Sequence, residues 1–218
     1  MAIKYGMVID LARCIGCMTC AVQCKLENNE PIGIWWNRVL TTGGEQVDTP
    51  NGTFPDLSME HLPLACQHCE DPPCVRVCPV GCCTKRADGL VVINWDRCIG
   101  CRYCIAACPY GVRTMNWGNP VHIPDFQVGN ADVPVRPRGV VEKCTFCVHR
   151  IDKGILEPAC VVSCPARARF FGDLNDPNSQ VSQLIAERSG YQLLPDVGTR
   201  PQVYFLPPRR KGFVSESD

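Results

Sequence analysis

The cysteines of this chain stand in tight groups, and their spacing is typical of metal ligands. The sequence holds 18 cysteines in 218 residues, and sixteen of them form four groups. The first and third groups share the pattern C-x2-C-x2-C-x3-C; they are Cys14, Cys17, Cys20 and Cys24, and Cys98, Cys101, Cys104 and Cys108. The second and fourth groups open with CxxC and close with CVxxCP; they are Cys66, Cys69, Cys74 and Cys78, and Cys144, Cys147, Cys160 and Cys164. Because the two kinds alternate, the pattern indicates duplication of a two-group unit.

The run C-x2-C-x2-C-x3-C-P is the ligand run of bacterial-type [4Fe–4S] ferredoxins. Three thiolates three residues apart on a tight loop can bind three corners of one cubane, and Gly16 and Gly100 allow that loop to curl. The fourth cysteine lies beyond the curl, and in two-cluster ferredoxins it binds the neighbouring cluster. Pro109 follows Cys108 and fixes the exit of the chain. Lys25 follows Cys24 instead, so the first group departs from the pattern there.

The spacing also predicts which groups share clusters. Nineteen residues separate Cys78 from Cys98. This is a compact two-cluster spacing, so the second and third groups are expected to pair, and the first and fourth groups then pair across the chain. With the fourth cysteines exchanged, the predicted ligand sets of four [4Fe–4S] clusters are Cys98, Cys101, Cys104 and Cys78; Cys66, Cys69, Cys74 and Cys108; Cys14, Cys17, Cys20 and Cys164; and Cys144, Cys147, Cys160 and Cys24.

Other uses of paired cysteines fit the sequence less well. Zinc sites also use four thiolates, but they usually combine two CxxC pairs, and a third cysteine two residues further on is unexpected. Haem attachment requires a histidine directly after CxxC, and neither Cys69 nor Cys147 is followed by one. Disulfides are disfavoured because the chain is long, because residues 1–10 lack a secretory apolar segment, and because the cysteines cluster. Metal-binding thiols must stay reduced, so folding is expected in a reducing cytoplasm.

The composition excludes several functional classes. With 22 basic and 22 acidic side chains the formal net charge is zero, which leaves no basic surplus for nucleic acid. No apolar run approaches the ~20 residues that span a bilayer, so a membrane is expected to be reached only through a partner. The 19 prolines and 18 glycines predict a loop-rich fold whose thin core takes part of its folding free energy from metal binding. No constellation of catalytic side chains stands out.

Short elements must hold the cysteines in place. Apolar runs at 4–10 and 89–94 predict strands that each lead into a CIGC loop. Single helical turns are expected at 21–29 and 104–111, an isolated strand at 33–42, a short amphipathic helix at 180–190 and a flexible tail at 207–218.

These elements predict an α+β, loop-rich fold with two ferredoxin-like modules related by internal duplication, each binding two [4Fe–4S] clusters. The first module is discontinuous and takes residues 1–30 and 140–175, and the second spans 60–112. Residues 31–59 and 113–139 are predicted insertions, and 176–218 a C-terminal extension and tail.

Several residues near the ligands have two interpretations. Cys82 and Cys83 are either redox-active thiols or small buried residues. Trp35 and Trp36 either contact a partner or pack locally. His68 is interpreted as structural, because every ligand position of its group is already a cysteine. Four basic side chains either raise cluster potentials or lie in solvent, namely Arg97, Arg102, Lys143 and Arg150.

The chain resembles the ferredoxin-type iron–sulfur subunits of molybdopterin oxidoreductases related to dimethyl sulfoxide reductase. The resemblance extends to about residue 205 and rests on "MVIDLARCIGCMTCAVQCKLEN", "CQHCEDPPCVRVCP", "DGLVVINWDRCIGCRYCIAACPYGVR", "EKCTFCVHRIDKG" and "PACVVSCPARARFFGDLNDPNSQVSQLI". The spacing of the first and fourth groups, and "GDLNDPNS", look most like the arsenate and polysulfide reductase branch. Some relatives carry a tryptophan in place of a third-group ligand; here Cys101 and Cys104 are both present, so no [3Fe–4S] cluster is expected.

The resemblance implies a non-catalytic subunit that relays single electrons through four [4Fe–4S] clusters. The implied partners are a large molybdopterin-containing catalytic subunit and a redox partner, which is either a quinone-reactive membrane subunit or a soluble carrier. The alternative function is an autonomous soluble polyferredoxin that serves several oxidoreductases. The expected location is the cytoplasm, or the far side of the membrane after co-export with a signal-bearing partner.

Overall fold

The computed structural model describes residues 2–42, 45–46, 48–122 and 129–208. Most of the predicted tail, and parts of both predicted insertions, lie outside this range. The helices are α1 (Thr19–Glu27), α2 (Pro73–Arg76), α3 (Tyr103–Ala106), α4 (Val148–Ile151), α5 (Ala159–Val162) and α6 (Gln180–Glu187). The strands are β1 (Tyr5–Asp10), β2 (Arg38–Thr42), β3 (Asn51–Thr53), β4 (Asp56–Ser58), β5 (Glu60–Leu64), β6 (Cys83–Lys85), β7 (Val91–Ile93), β8 (Thr114–Met115), β9 (Val141–Glu142), β10 (Arg169–Asp173) and β11 (Val203–Leu206).

Short helices and small sheets joined by loops make this an α+β, loop-rich fold, as predicted. Among the described residues, no helix is long and apolar enough to cross a membrane.

The main sheet holds β1 between β10, which is antiparallel to it, and β11, which is parallel. Residues 6–10 are buried on both faces. Val8 packs on one face with Val181 of α6, and Met7 and Ile9 pack on the other face against cysteines. Helix α6 begins after Ser179, whose hydroxyl accepts a hydrogen bond from the Ser182 amide. The predicted strand at 4–10 and helix at 180–190 are therefore confirmed.

The strand predicted at 33–42 is partly wrong. Only β2 forms there, and it is not isolated, because it pairs antiparallel with β5. Pro63 lies in β5, and since proline disfavours strands, the local pattern contains little sign of this partner.

Two other expectations differ in length. Helix α1 has nine residues rather than a single turn. The strand expected at 89–94 is reduced to β7, which pairs with β6, because the Asn94 side chain caps a 3₁₀ turn that follows directly.

Cysteines form much of the hydrophobic core. The main cluster of buried side chains joins Met7, Ile9, Leu90 and Phe205 with cysteines of the first, second and fourth groups, which are Cys20, Cys24, Cys66, Cys69, Cys144 and Cys160. Because these thiols take the place of larger apolar side chains, the arrangement favours a fold that is stabilised by metal binding.

Candidate metal centres

The two CIGC loops have the same backbone conformation. Gly16 and Gly100 have positive φ angles of 69° and 66°. A Cβ atom at Gly100 would overlap the Gly139 carbonyl oxygen, so only glycine fits this turn. Met18 and Arg102 are left-handed as well, and α1 and α3 each begin at the next residue. The loops therefore curl and carry their third cysteine into a helical turn.

The second and fourth groups also match each other locally. The third residue of each CxxC, His68 or Phe146, is left-handed, with φ of 42° or 56°. Pro72 and Pro158 then precede α2 and α5, which carry Cys74 and Cys160. The fixed φ of proline suits these helix starts.

Three cavities bring together cysteines as the spacing predicts. One, which we call the Cys14 site, is lined by Cys14, Cys17, Cys20 and Cys164. A second, the Cys66 site, is lined by Cys66, Cys69, Cys74 and Cys108. The third, the Cys144 site, is lined by Cys24, Cys144, Cys147 and Cys160, together with Cys66. In each cavity the fourth cysteine comes from the partner group, as the exchange of fourth cysteines requires.

The remaining set, the Cys98 site, consists of Cys78, Cys98, Cys101 and Cys104. Cys78 and Cys98 pack against an apolar cluster that contains Cys104. Cys101 is half-buried on the loop between Cys98 and Cys104. These are the expected neighbours, and the assignment of all sixteen ligands stays a prediction.

Four of the buried thiols favour the neutral state in the absence of metal. Burial raises the pKa of Cys69 and Cys147 to about 12. Burial likewise raises the pKa of Cys24 and Cys144 well above the usual thiol value. Because a metal binds thiolate, loading these sites must release protons.

Polar groups already point at several of these sulfurs. The Phe146 amide donates to Cys144 Sγ over 3.4 Å, and the Ala168 amide donates to Cys164 Sγ over 3.3 Å. The Asn28 side-chain amide donates to Cys24 Sγ over 3.5 Å. Such donors stabilise negative charge on sulfur and help to set the potential of a bound cluster.

Two buried arginines lie among the cysteines, and neither was identified from the sequence pattern. Arg169 is 4% exposed, and its Nη1 donates to Cys160 Sγ over 3.7 Å. Arg113 is 5% exposed, and its Nη1 donates to Cys83 Sγ over 3.4 Å. Burial lowers the pKa of each guanidinium, but the surrounding thiols outweigh that effect and raise it.

The environment of Arg113 fits a negatively charged cluster. Its Nη2 atom is buried without a hydrogen-bond partner among the described residues. Thiolate-bound clusters would supply the missing negative charge. A signal was present in the sequence, because Arg113 and Arg169 stand at the same offset after Cys108 and Cys164, the last cysteines of their groups.

Shared lining residues link the sites in a single order. Arg113 lines the Cys66 cavity and donates to Cys83, which packs against ligands of the Cys98 site. Cys66 lines both the Cys66 cavity and the Cys144 cavity. Arg169 lines both the Cys144 cavity and the Cys14 cavity. The order is therefore Cys98 site, Cys66 site, Cys144 site, Cys14 site.

His68 occupies a structural position between two of these sites. Its Nδ1 atom accepts a hydrogen bond from the Val91 amide over 3.0 Å, and its Nε2 atom lies 3.2 Å from the Cys144 carbonyl oxygen. The ring is fully buried, and burial holds its pKa well below the usual histidine value. The histidine is therefore neutral, which agrees with a structural role.

The flanking basic residues divide between surface and core. Arg97 and Arg102 are exposed, and Arg150 is half-buried. Lys143 is fully buried, and its Nζ donates to the Cys144 carbonyl over 2.7 Å. Of these four, only Lys143 lies in the core between cysteine groups.

The adjacent tryptophans have different environments. Trp36 is 2% exposed, and its indole N–H donates to Glu142 over 2.8 Å. Local packing therefore explains Trp36. Trp35 is 38% exposed, with the Lys25 ammonium 4.5 Å from its ring centre, so it remains accessible to a partner.

Cys82 and Cys83 are buried beside the Cys98 site. Cys82 Sγ lies 3.3 Å from Cys78 Sγ. Cys104 and Cys83 share a hydrogen bond, which together with the Arg113 charge lowers the pKa of Cys83. Both thiols are thus small buried residues, and both also contact predicted ligands.

Comparison with known proteins agrees with this arrangement of cysteines. The family described as "4Fe-4S dicluster domain" matches residues 57–122 and 133–174, which include the second, third and fourth groups. The family described as "4Fe-4S binding domain" matches residues 11–28, which include the first group. The chain is therefore an iron–sulfur protein with ferredoxin-like domains that bind [4Fe–4S] clusters.

Relatives that match more than 90% of this chain show to which functional class of iron–sulfur protein it is similar. The chain is 56% identical to a protein of Halobacterium salinarum that is named as an iron–sulfur subunit of dimethyl sulfoxide reductase, over 93% of this chain and 79% of that one. It is 42% identical to the arsenate respiratory reductase iron–sulfur subunit ArrB of Shewanella, over 93% and 96% of the two chains. It is also 42% identical to the iron–sulfur cluster-binding subunit of menaquinone reductase from Nitratidesulfovibrio vulgaris, over 94% and 89%. The chain belongs to the family of iron–sulfur electron-transfer subunits of dimethyl sulfoxide reductase-type oxidoreductases.

This membership confirms the family resemblance that the cysteine motifs predicted. An arsenate reductase subunit is among the relatives, as expected from the first and fourth groups. The relatives are named as subunits of oxidoreductases, which agrees with the prediction of a non-catalytic subunit.

Proposed function

We propose that the chain relays single electrons through four [4Fe–4S] clusters, held by the sixteen predicted cysteines at the Cys98, Cys66, Cys144 and Cys14 sites. One end of the relay serves a molybdopterin-containing catalytic subunit. The other end serves a redox partner, which is either a quinone-linked membrane subunit or a soluble carrier. When bound, such clusters accept and release single electrons.

The observation that carries this proposal is the continuous order of the sites. Each neighbouring pair of sites shares a residue. Arg113 lines the Cys66 cavity and donates to Cys83 beside the Cys98 site, Cys66 lines both the second and the third cavity, and Arg169 lines both the third and the fourth. A carrier that exchanges electrons at one cluster needs no such series. A relay does need it, because the electron must pass from one end of the protein to the other.

The residues around the sites would set the energetics of transfer. Arg113 and Arg169 place a fixed positive charge between neighbouring sites, which favours the reduced and more negative state on both sides. Amides of Phe146, Ala168 and Asn28 add hydrogen bonds to ligand sulfurs. Apolar side chains keep water away from the inner sites, which strengthens these interactions.

The two predicted modules and their origin by duplication belong to the same proposal. Support comes from the matching backbone turns of the first and third groups and of the second and fourth groups. The modules comprise residues 1–30 with 140–175, and 60–112. In this scheme 31–59 and 113–139 are insertions, and 176–218 is an extension whose strand β11 pairs with β1.

Exposed apolar side chains at both ends of the series suit partner docking. Ile99 stands on the loop of the Cys98 site and is 64% exposed, and Trp117 beside Arg102 is 65% exposed. Ile15 stands on the loop of the Cys14 site and is also 64% exposed. In this proposal one end would face each partner.

The relatives' names support the choice of partners. One relative is a subunit of arsenate respiratory reductase, and another is a subunit of menaquinone reductase. Neither name fixes the substrate of this chain's partner. The final location follows the partner, since a signal on the catalytic subunit would carry the folded pair across the membrane.

Two measurements test the proposal. Anaerobic iron and acid-labile sulfide analysis of the purified chain should give four [4Fe–4S] clusters, whereas zinc with almost no iron would contradict it. Isolation of the native complex should recover a large molybdopterin subunit bound stably to the chain. If the chain instead behaves as a monomer that reduces several enzymes transiently, the polyferredoxin function would replace the relay.

A further inference from the structure

Cys82 lies beside Cys78 without being needed for any of the predicted ligand sets. The sulfurs of Cys78, Cys82 and Cys83 lie within 4.8 Å of one another. Cys78 Sγ and Cys82 Sγ are 3.3 Å apart. Two thiols at this separation can both reach the same metal ion, since metal–thiolate bonds are about 2.3 Å long.

The backbone fixes Cys82 in this position. The Gly81 amide donates to the Cys78 carbonyl over 3.2 Å, and Gly81 has a positive φ of 60°, so the chain turns back after Cys78. The Cys82 carbonyl then accepts a hydrogen bond from the Asn94 amide over 2.8 Å. Because both sides of Cys82 are held by backbone hydrogen bonds, its approach to Cys78 is a property of the fold rather than of a free loop.

Cys83 is oriented differently from Cys82. Cys83 Sγ accepts a hydrogen bond from Arg113 over 3.4 Å. Cys82 Sγ instead lies 3.3 Å from Cys78 Sγ, a half-buried ligand of the Cys98 site. Of the two spare thiols, Cys82 is therefore the one that faces the position of Cys78.

We propose that Cys82 is an alternative ligand for the iron that Cys78 is predicted to hold, so that this corner of the cluster has two thiols available. The inference rests on the proposed four-cluster function. The exchange is balanced without any oxidant or reductant: the iron–sulfur bond to Cys78 breaks, the Cys82 thiol gives up its proton and binds the iron, and the Cys78 thiolate takes that proton.

The chemical consequence is that the Cys98 site would keep its cluster when Cys78 is lost. Cys78 is half-buried, whereas Cys82 is only 4% exposed. A thiol reagent that reaches the site would meet Cys78 first, and Cys82 would keep the fourth iron bound. A buried thiol would thereby replace the half-buried ligand.

The test removes the two thiols separately and together in the full chain, reconstituted anaerobically with iron and sulfide. Cys78→Ala should keep the iron and sulfide content of the wild type, while Cys78→Ala combined with Cys82→Ala should lose about a quarter of both. Cys78→Ala combined with Cys83→Ala is the matched control and should retain its iron. Cys108→Ala is a second control and should lose a cluster, because the Cys66 cavity is lined by its own four predicted ligands.

Each result decides the matter. Loss of iron, or aggregation, in Cys78→Ala alone would overturn the proposal, because Cys82 should have held the site. Full retention of iron in the Cys78→Ala, Cys82→Ala protein would overturn it too, because another group would then be the ligand. Low-temperature EPR of the reduced proteins provides an independent readout, and the signal of the Cys98 site should survive loss of Cys78 only where Cys82 is present. A wild-type chain that binds no iron would instead contradict the proposed function.

Discussion

The rings of His68 and Phe146 stack face to face, with centroids 3.7 Å apart and planes inclined by 13°. Both residues occupy the third position of a CxxC motif, one in the second cysteine group and one in the fourth. Both are fully or almost fully buried. The contact therefore joins equivalent positions of the two proposed modules, at the point where the Cys66 and Cys144 sites adjoin.

His68→Phe is expected to destabilise the protein although it keeps an aromatic ring in the stack. The Val91 amide would lose its acceptor in a buried position, which costs about 1–3 kcal/mol. The measurement is the anaerobic thermal midpoint, followed by the visible absorption of the clusters. Phe146→Leu is the control, because it removes ring contact but none of the His68 hydrogen bonds. An unchanged midpoint in His68→Phe would show that these hydrogen bonds contribute nothing to stability.

Arg169→Met is expected to lower the reduction potentials of the clusters at the Cys144 and Cys14 sites. Removal of a buried positive charge disfavours the more negative reduced state, by roughly 50–100 mV at an effective dielectric constant of about 20. Redox titration followed by EPR measures the shift.

Two arginine variants serve as controls for this prediction. Arg169→Lys keeps the charge and should shift the potentials much less. Arg167→Met removes an exposed charge from the same loop and should have little effect, because solvent screens it. Equal shifts in Arg169→Met and Arg167→Met would show that burial of the charge is irrelevant.

Cys108→Ser is expected to alter the cluster of the Cys66 site and to leave the cluster of the Cys98 site unchanged. Cys108 lines the Cys66 cavity, although its three sequence neighbours in the motif belong to the Cys98 site. The matched variant Cys104→Ser should have the opposite effect. EPR spectra at graded potentials separate the two signals, and the exchange of fourth cysteines is wrong if Cys108→Ser changes only the Cys98 site.

Glu27→Gln is expected to reduce stability at pH 7 and to matter less in acid. Burial alone would raise the pKa of Glu27, but hydrogen bonds from His149 and Asn130 and the charge of Arg150 hold it below the usual value. The folded state therefore binds the carboxyl proton less readily than the unfolded state. The resulting stabilisation is present above pH 4.5 and is lost as the pH falls through the folded pKa.

The measurement compares thermal midpoints of the wild type and Glu27→Gln from pH 7 downward, which cancels acid damage common to both. The difference should correspond to about 1 kcal/mol at pH 7 and should narrow below about pH 4.5. Glu157→Gln, which changes an exposed carboxyl, should match the wild type throughout. A difference that stays constant with pH would show that the ionised carboxylate of Glu27 is not what stabilises the fold.

Helices and strands could be predicted from the sequence where their own residues carry the apolar pattern. The apolar run at 4–10 forms β1, and the segment 180–190, whose apolar residues recur at helical spacing, contains α6. The sequence analysis missed β5 and therefore the partner of β2, because Pro63 hides that strand from any local pattern. A single helical turn was expected within 21–29, whereas α1 has nine residues, Thr19–Glu27. The Glu27 side chain at its end contacts His149 and Asn130 from distant segments.

The cysteine types and spacings alone determined the class of cofactor and the family, because the convergence of thiolates on a cluster is a property of short loops. Only the tertiary structure decided which buried cations stand between the sites. Arg113 donates to Cys83, and Arg169 lines two cavities that cysteines of the first and fourth groups share. The burial of both arginines depends on the whole core. The same holds for Cys82, whose approach to Cys78 requires the turn at Gly81 and the β6–β7 pairing. The predicted ligands follow from local spacing, whereas the charges and spare thiols around them depend on long-range packing.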